Sequence, residues 1–236
     1  MPTRSDPKTT ARTAARAAPG ALHPLLAAVP ASGLREIVAA AEPFERTGGS
    51  ALLNRGEPIG TLFFVTSGLV ATIGRTPSGE GAETGLVGRG GLIGHTALLG
   101  EIVARTDAVA VTKTRGIAVA RQVAERVLPY HPGSWRALLD HALARSAEAE
   151  RLCVCAAVHP VERRLGRWLL RAGALTEGPI EVTHQSLADL LGVRRASVTT
   201  SLHLLEGEQA VWCRRGRIEI RNAGRLTRLA CDCAGV

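Results

Sequence analysis

The 236-residue chain has no run of about 18 or more apolar residues, so no membrane-spanning helix is expected. Its first twenty residues, MPTRSDPKTTARTAARAAPG, are basic and rich in Ala and Thr but lack an apolar segment, which argues against a secretory signal. A disordered basic tail over residues 1–20 is expected there; an organellar transit peptide would share the composition. Cysteine is scarce and odd in number, five in all, so a disulfide framework is not expected and the cytoplasm fits best. Lysine is nearly missing, with Lys8 and Lys113 the only two. No nucleophile elbow, metal-hydrolase pair or phosphate loop is present, which argues against an enzyme. There is no internal repeat.

What the chain has in excess is positive charge. Lys plus Arg number 29 against 21 for Asp plus Glu, a formal net charge of +8. That balance favours a polyanionic partner. Arginine's planar fork suits phosphate and guanine edges, although a bias toward arginine equally reflects genome composition. The 45% apolar fraction is that of a folded soluble protein, and the length allows one large domain or two small ones.

The texture changes along the chain. From Ala21 to about Ala41, short helical patterns are broken by Pro24 and Pro30. From Phe44 to Ala120 the segments are short, rich in Val, Ile, Leu and Thr, and punctuated by glycine, as in TLFFVTSG and DAVAVTKTRG. Recurring turn residues predict a compact antiparallel β barrel or roll. From Gly133 to Val158 the residues Trp135, Leu139, Ala142, Ser146, Ala149, Cys153 and Ala156 alternate by four and three, a heptad seam. Such a seam suits burial against the chain's own β domain or a two-stranded dimer contact. Its length, and apolar residues on more than one face, favour the dimer. His159-Pro160 interrupts it, and VERRLGRWLLRAGAL starts another amphipathic helix.

The last third reads strand, helix, turn, helix, hairpin. IEVTH is expected as a short strand ending in Thr183, a good N-cap for a helix over 184–191. Gly192 sits where a sharp turn needs it, and a second helix is expected from about Arg194 to Glu206. On a helical wheel Val198, Leu202 and Leu205 share one face, while Ala196, Thr200 and His203 lie opposite with Thr199 beside them. Arg194 and Arg195 open the helix, followed by Ser197. A recognition helix enters the major groove N-terminus first, where arginine reaches guanine O6 and N7. Thr183, His184 and Gln185 open the preceding helix, where free backbone N–H groups favour a phosphate. AVWCRRGRIEIR then forms two strands about a turn, offering Arg214, Arg215 and Arg217 as a basic wing. A winged helix that binds protein would not need those arginines.

The stretch from VTHQSLADLLGVRRASVTTSLHLLE to RRGRIEIRNAGRL resembles the winged helix of the Crp/Fnr family of transcription regulators. GGSALLNRGEPIGTLFFVTSGLVATI resembles that family's cyclic-nucleotide-binding β-roll, with Gly56 and Gly68 at its glycine positions. The resemblance implies an α+β chain in four parts: a tail over 1–20, a jelly-roll-like sensor domain over 21–132, a dimerisation helix over 133–158 and a winged helix-turn-helix over 159–236. It implies a homodimer on a pseudo-palindromic double-stranded DNA operator, controlled by a small effector in the β-roll, with RNA polymerase a further partner if it activates. Arg195 matches the family's guanine-reading arginine. Ala196 stands where a glutamate is frequent, and Thr200 where many members have another arginine, so a different base preference is expected.

The effector site implied by the resemblance comprises Gly94, His95, Arg105 and Thr106. The family's nucleotide pocket pairs Gly-Glu with Arg-Ser or Arg-Thr. Here the phosphate half matches, but His95 replaces the carboxylate that accepts two ribose hydroxyl bonds. Cyclic AMP is therefore not the expected effector; Arg105 is equally readable as an anion ligand or a surface residue. The C-x-C pairs at 153–155 and 231–233 are read as packing rather than metal ligands, and no metal or other cofactor is assigned. His131, His141 and His159 show no pairing in the sequence. Constitutive DNA binding, or redox or metal sensing through the cysteines, remain the alternatives.

Overall fold

A computed structural model describes residues 23–234. The tail expected over 1–20 lies outside the described residues. Two short helices, α1 (Pro24–Ala27) and α2 (Ala31–Ala40), precede eight strands: β1 (Glu42–Arg46), β2 (Ala51–Leu53), β3 (Thr61–Ser67), β4 (Val70–Arg75), β5 (Gly81–Val87), β6 (Leu92–Ile93), β7 (Asp107–Ala110) and β8 (Thr114–Ala120). Pro24 and Pro30 do not break these helices but begin them, Pro24 in the first turn and Pro30 as the N-cap of α2. A proline there loses no helical hydrogen bond.

The strands form two antiparallel four-stranded sheets, ordered β1-β8-β3-β6 and β2-β7-β4-β5. Three apolar layers hold them. Phe44, Phe63, Val65, Val70, Val87, Ile93 and Ala108 pack between the sheets. On the outer side of the first sheet, Leu62, Phe64, Ile117 and Val119 meet the helices through Leu25, Leu26, Ile37, Val127 and Leu138. The outer side of the second, through Leu69, Ala71, Ile73 and Leu86, shares a cluster with the C-terminal domain. Both faces of both sheets are thus covered, which is why TLFFVTS reads as an apolar run instead of alternating. Gly68, between β3 and β4, has φ of 85°, and a Cβ there would lie 2.3 Å from the Lys113 carbonyl oxygen. Only glycine fits.

Helix α3 (Arg121–Val127) leads into α4 (Pro132–Val158). Two heptad rows run along α4. Ser134, Leu138, Glu148, Leu152 and Cys155 are buried against the chain's own domains, with His141 and Arg145 half-buried in the same row. The row predicted as the dimer seam, Trp135 through Ala156, is exposed or half-buried. α4 ends at His159, since a residue before proline is pushed out of the helical region.

The C-terminal domain comprises α5 (Val161–Leu175), α6 (His184–Leu191), α7 (Arg195–Gly207), the hairpin β9 (Val211–Arg214) and β10 (Arg217–Ile220), and α8 (Ala223–Leu229). Its core centres on Trp168, Leu169, Leu187, Val198, Leu202 and Ile218. One expectation fails: IEVTH is not a strand. Ile180 makes a single bridge to Ile218, through bonds of 2.8 and 2.9 Å, and the chain then leaves to begin α6. Beyond Ile180 no further backbone pairing follows among the described residues, and Thr183 is already the N-cap of α6.

Candidate nucleic-acid interface and effector cavity

The helix-turn-helix is fixed by three local devices. The Thr183 hydroxyl accepts a 3.0 Å bond from the Ser186 amide, satisfying a free donor of the first turn of α6. Gly192 caps α6 in the left-handed region at φ of 64°, turning the chain sharply. Val198, Leu202 and Leu205 are buried, so the inner face of α7 fixes which side chains face outward.

Outward-facing are Arg194, Arg195, Ala196, Thr200 and His203, all exposed. Arg194 is the N-cap and Arg195 the first residue of α7. Among the described residues neither arginine forms an ion pair with an acidic side chain. Ser197 and Thr199 are half-buried. Thr199 joins the two helices, its hydroxyl 3.0 Å from His184 Nδ1 and 3.2 Å from the Arg195 carbonyl oxygen to which it donates. His184 is thus committed to the helix pair, and burial lowers its pKa. Gln185 donates to Asp189 at 2.8 Å along α6. Of the three residues at that helix start, Thr183 and Gln185 are exposed and His184 is not.

In the wing, Arg214 pairs with Arg217 across the hairpin, and Gly216 turns it with φ of 72°. The Arg214 guanidinium stacks on Trp212, 3.9 Å from the ring centroid, which holds one cation in place. Arg215 is exposed at the tip, and Arg217 lies 3.8 Å from Glu181. Trp212 was not among the residues expected from the sequence; a Trp two residues before an arginine on a β-strand places both on one face, the signal that could have found it.

The four effector candidates converge. Gly94, His95, Arg105 and Thr106 line one cavity of about 570 Å³, together with Thr72 and Thr84 of the second sheet and Ala142, Arg145, Ser146 and Ala149 of α4. Arg105 is the exposed arm, its Nε 2.6 Å from Glu101. His95 turns inward. Its ring meets His141 edge-on at 4.6 Å, and His141 meets His23 at 5.0 Å. Burial pulls His23 and His95 down to about 4 and His141 to about 3, with the neighbouring rings and Arg145 adding to the last two. These imidazoles are neutral at pH 7. Nothing in the sequence announced the cluster, because its members are far apart in the chain.

Beyond the cavity, a buried charge network joins the two domains. Glu148 of α4 pairs with Arg145 and, at 2.6 Å, with Arg171 of α5. Glu83 of β5 accepts a 2.6 Å bond from Trp168 Nε1, and burial pushes its carboxyl up to about 7.

Comparison with known proteins agrees with this geometry. A Crp-like helix-turn-helix domain model matches residues 163–229, and a cyclic nucleotide-binding domain model matches residues 45–131. Together they span well over half of the chain. The chain belongs to the Crp/Fnr family. Solved structures of the same architecture include FixK2 from Bradyrhizobium japonicum, at 19% identity, TM-score 0.69, covering 81% of this chain and 98% of that one. The c-di-GMP responsive global regulator CLP of Xanthomonas campestris matches at 20% identity and TM-score 0.64, covering 81% and 99%. A Crp/Fnr-family transcriptional regulator from Thermus thermophilus matches at 25% identity and TM-score 0.62, covering 80% and 98%. No curated protein matches the chain.

His95 lines the cavity while its ring packs edge-on against His141. No helix among the described residues is long and apolar enough to cross a membrane.

Proposed function

We propose that this regulator acts as a homodimer on a pseudo-palindromic DNA operator in the cytoplasm, contacting RNA polymerase where it activates. The single observation carrying the sequence-specific part is the exposed outer face of α7, where Arg195 stands at the helix start without an ionic partner among the described residues. Arg195 reads a base edge, with Arg194, Thr200 and His203 alongside. Thr183, Gln185, Arg215 and Arg217 hold phosphates, while His184, Ser197 and Thr199 set the angle between the helices. The dimer is supported by the outer row of α4, where Trp135 and Leu139 are each 38% exposed, with Leu143 beside it 68% exposed. An exposed apolar row of this length is matched by a second copy of itself.

The effector proposed for the cavity is a small anion that competes with Glu101 for Arg105. Cyclic AMP is disfavoured, because the inward His95 leaves no carboxylate for the ribose hydroxyls. The phosphodiester response of CLP makes a cyclic dinucleotide a reasonable ligand to test beside it.

The test is a titration of variants on a duplex selected from a random pool and on a scrambled duplex, across a salt series. Arg195→Ala should lose about 1–3 kcal/mol on the selected duplex only. Arg215→Ala or Arg217→Ala should weaken both duplexes alike and flatten the log–log salt slope by roughly one unit. Equal loss on both duplexes for Arg195→Ala would place that residue on phosphate. A wild type that never prefers the selected duplex would refute the regulator reading.

A further inference from the structure

We propose that Cys155, His159, Cys231 and Cys233 hold a single thiophilic divalent cation of the zinc type, at the junction between α4 and the DNA-binding domain. Their four ligand atoms all lie within 4.8 Å of one another, although the chain separates the two pairs widely. Cys155 Sγ is 3.5 Å from Cys231 Sγ, and Cys233 Sγ is 3.7 Å from His159 Nδ1. A tetrahedral site with Zn–S of about 2.3 Å and Zn–N of about 2.0–2.1 Å sets its ligand atoms roughly 3.6–3.8 Å apart. The observed pairs match that edge. A multi-iron cluster spreads its thiolates over different irons, so an array this tight suits one ion. A disulfide needs its sulfurs at about 2.05 Å, and Cys155 and Cys231 are well outside that.

The surroundings fit the same chemistry. With Nδ1 toward the thiols, the other ring nitrogen of His159 faces Asp232, its Nε2 3.7 Å from Oδ1. A carboxylate behind a ligating imidazole fixes its tautomer and orientation. Three thiolates around a dication leave one net negative charge. The Cys231 amide donates to the Arg163 carbonyl oxygen at 3.2 Å, fixing the loop that follows α8. The pattern on each side is chelating: Cys155 and His159 are one helical turn apart, and Cys231 and Cys233 bracket one residue. Simple packing accounts for the buried Cys155 and Cys231, but not for the half-buried His159 and Cys233 converging on them.

The position gives the ion a purpose. Cys155 lies in the last turn of α4 and His159 caps that helix, just before Pro160 and α5. The two later cysteines follow α8, the final helix of the winged domain. A bound ion therefore clamps the end of the proposed dimer helix to the far end of the DNA-binding domain and restricts the hinge at Pro160. Thiolate ligation selects soft or borderline ions over magnesium and calcium.

The full chain, purified with its thiols reduced and loaded with Zn²⁺, should retain about one equivalent after desalting. Cobalt in its place should give thiolate-to-cobalt charge transfer and tetrahedral d–d bands. The double variant Cys231→Ser/Cys233→Ser should retain less than about a tenth of an equivalent, and Cys153→Ser, which alters an exposed thiol outside the cluster, about one. His159→Cys, preserving a four-ligand set, should keep the ion. Circular dichroism of the double variant separates loss of the site from loss of the fold; were it unfolded, the cobalt spectrum of the wild-type chain decides alone. Retention by a folded double variant at the wild-type level would overturn the proposal, as would a cobalt spectrum without thiolate charge transfer, or a Cys155–Cys231 disulfide in place of the ion. None of these readouts uses DNA, so they stand or fall apart from the operator reading.

Discussion

Lowering the pH from 7.5 to 5 should destabilise the protein in two stages, first gently and then steeply. His23, His95 and His141 are held neutral in the folded chain by burial, at about 4, 4 and 3, against about 6.5 when exposed. Between those limits the unfolded chain binds more protons than the folded one, so stability falls as pH falls. Each histidine contributes a slope approaching about 1.4 kcal/mol per pH unit, and the three together about 4. Glu83 works the other way. Burial raises its carboxyl to about 7, so the folded chain takes up a proton there before the unfolded chain does, and stability rises as pH falls toward its ordinary 4.5. From pH 7.5 to 5.5 the histidines remove about 4 kcal/mol and Glu83 returns about 2, a net loss of about 2. Nearer pH 5 the Glu83 contribution levels off and the slope steepens, against a total stability of roughly 5–15 kcal/mol. Urea denaturation at fixed protein concentration, at half-unit pH steps, measures this directly. Glu83→Gln should roughly double the loss between pH 7.5 and 5.5, and His141→Gln should remove about half of the steep limb. A stability that is flat or rises as pH falls from 7.5 to 5 would refute the reasoning.

Leu139→Glu, on the outer row of α4 and clear of the effector cavity, should weaken self-association by about 100-fold or more, because a dimer would bury an unpaired charge worth about 3–5 kcal/mol; sedimentation velocity reads it, and a monomeric wild type at micromolar concentration would sink the dimer. Ala149→Glu should act the same way but also alter the cavity, which Ala149 lines. Calorimetry should show cyclic AMP binding weakly or not at all; submicromolar affinity that Arg105→Ala abolishes would show that His95 does not exclude the nucleotide.

The fold was legible where one physical rule dominates. Glycine-punctuated apolar runs announced the β-roll, and a cap at Thr183, a turn at Gly192 and a hairpin at Gly216 announced the winged helix. Periodicity was less informative on α4. The sequence singles out the row from Trp135 to Ala156 because it is mostly small or apolar. The row actually covered runs through Ser134, Leu138, Glu148, Leu152 and Cys155, with His141 and Arg145 half-buried among them, a mix of polar and apolar residues that a hydrophobic pattern does not single out. Its charged members find partners, Arg145 and Glu148 in each other and Glu148 also in Arg171, while Ser134 Oγ and His141 Nε2 are buried without a hydrogen-bond partner among the described residues. The same limit hid the histidine cluster and the cysteine array, since residues such as His23 and His141, or Cys155 and Cys231, meet only once the chain has folded.

Those hidden groups share a place in the molecule. The histidines line the contact between the β-roll and the first half of α4, an ion pair joins α4 to α5, the Trp168–Glu83 hydrogen bond joins α5 to β5, and the cysteine array sits where α4 ends. A structural core needs none of this chemistry; an apolar row would be as stable as the ion pairs or more so. What polar contacts add is geometry: Glu148 holds two arginines from different helices, and Trp168 can donate to Glu83 only if the winged domain lies flat on β5. A shift of α4 against α5 would break the Glu148–Arg171 pair, and a rotation of the winged domain away from β5 would break the Trp168–Glu83 bond. The winged domain is therefore held on the β-roll by the apolar cluster it shares with the second sheet and oriented by these directional contacts, and Arg145, one of the residues making them, also lines the cavity.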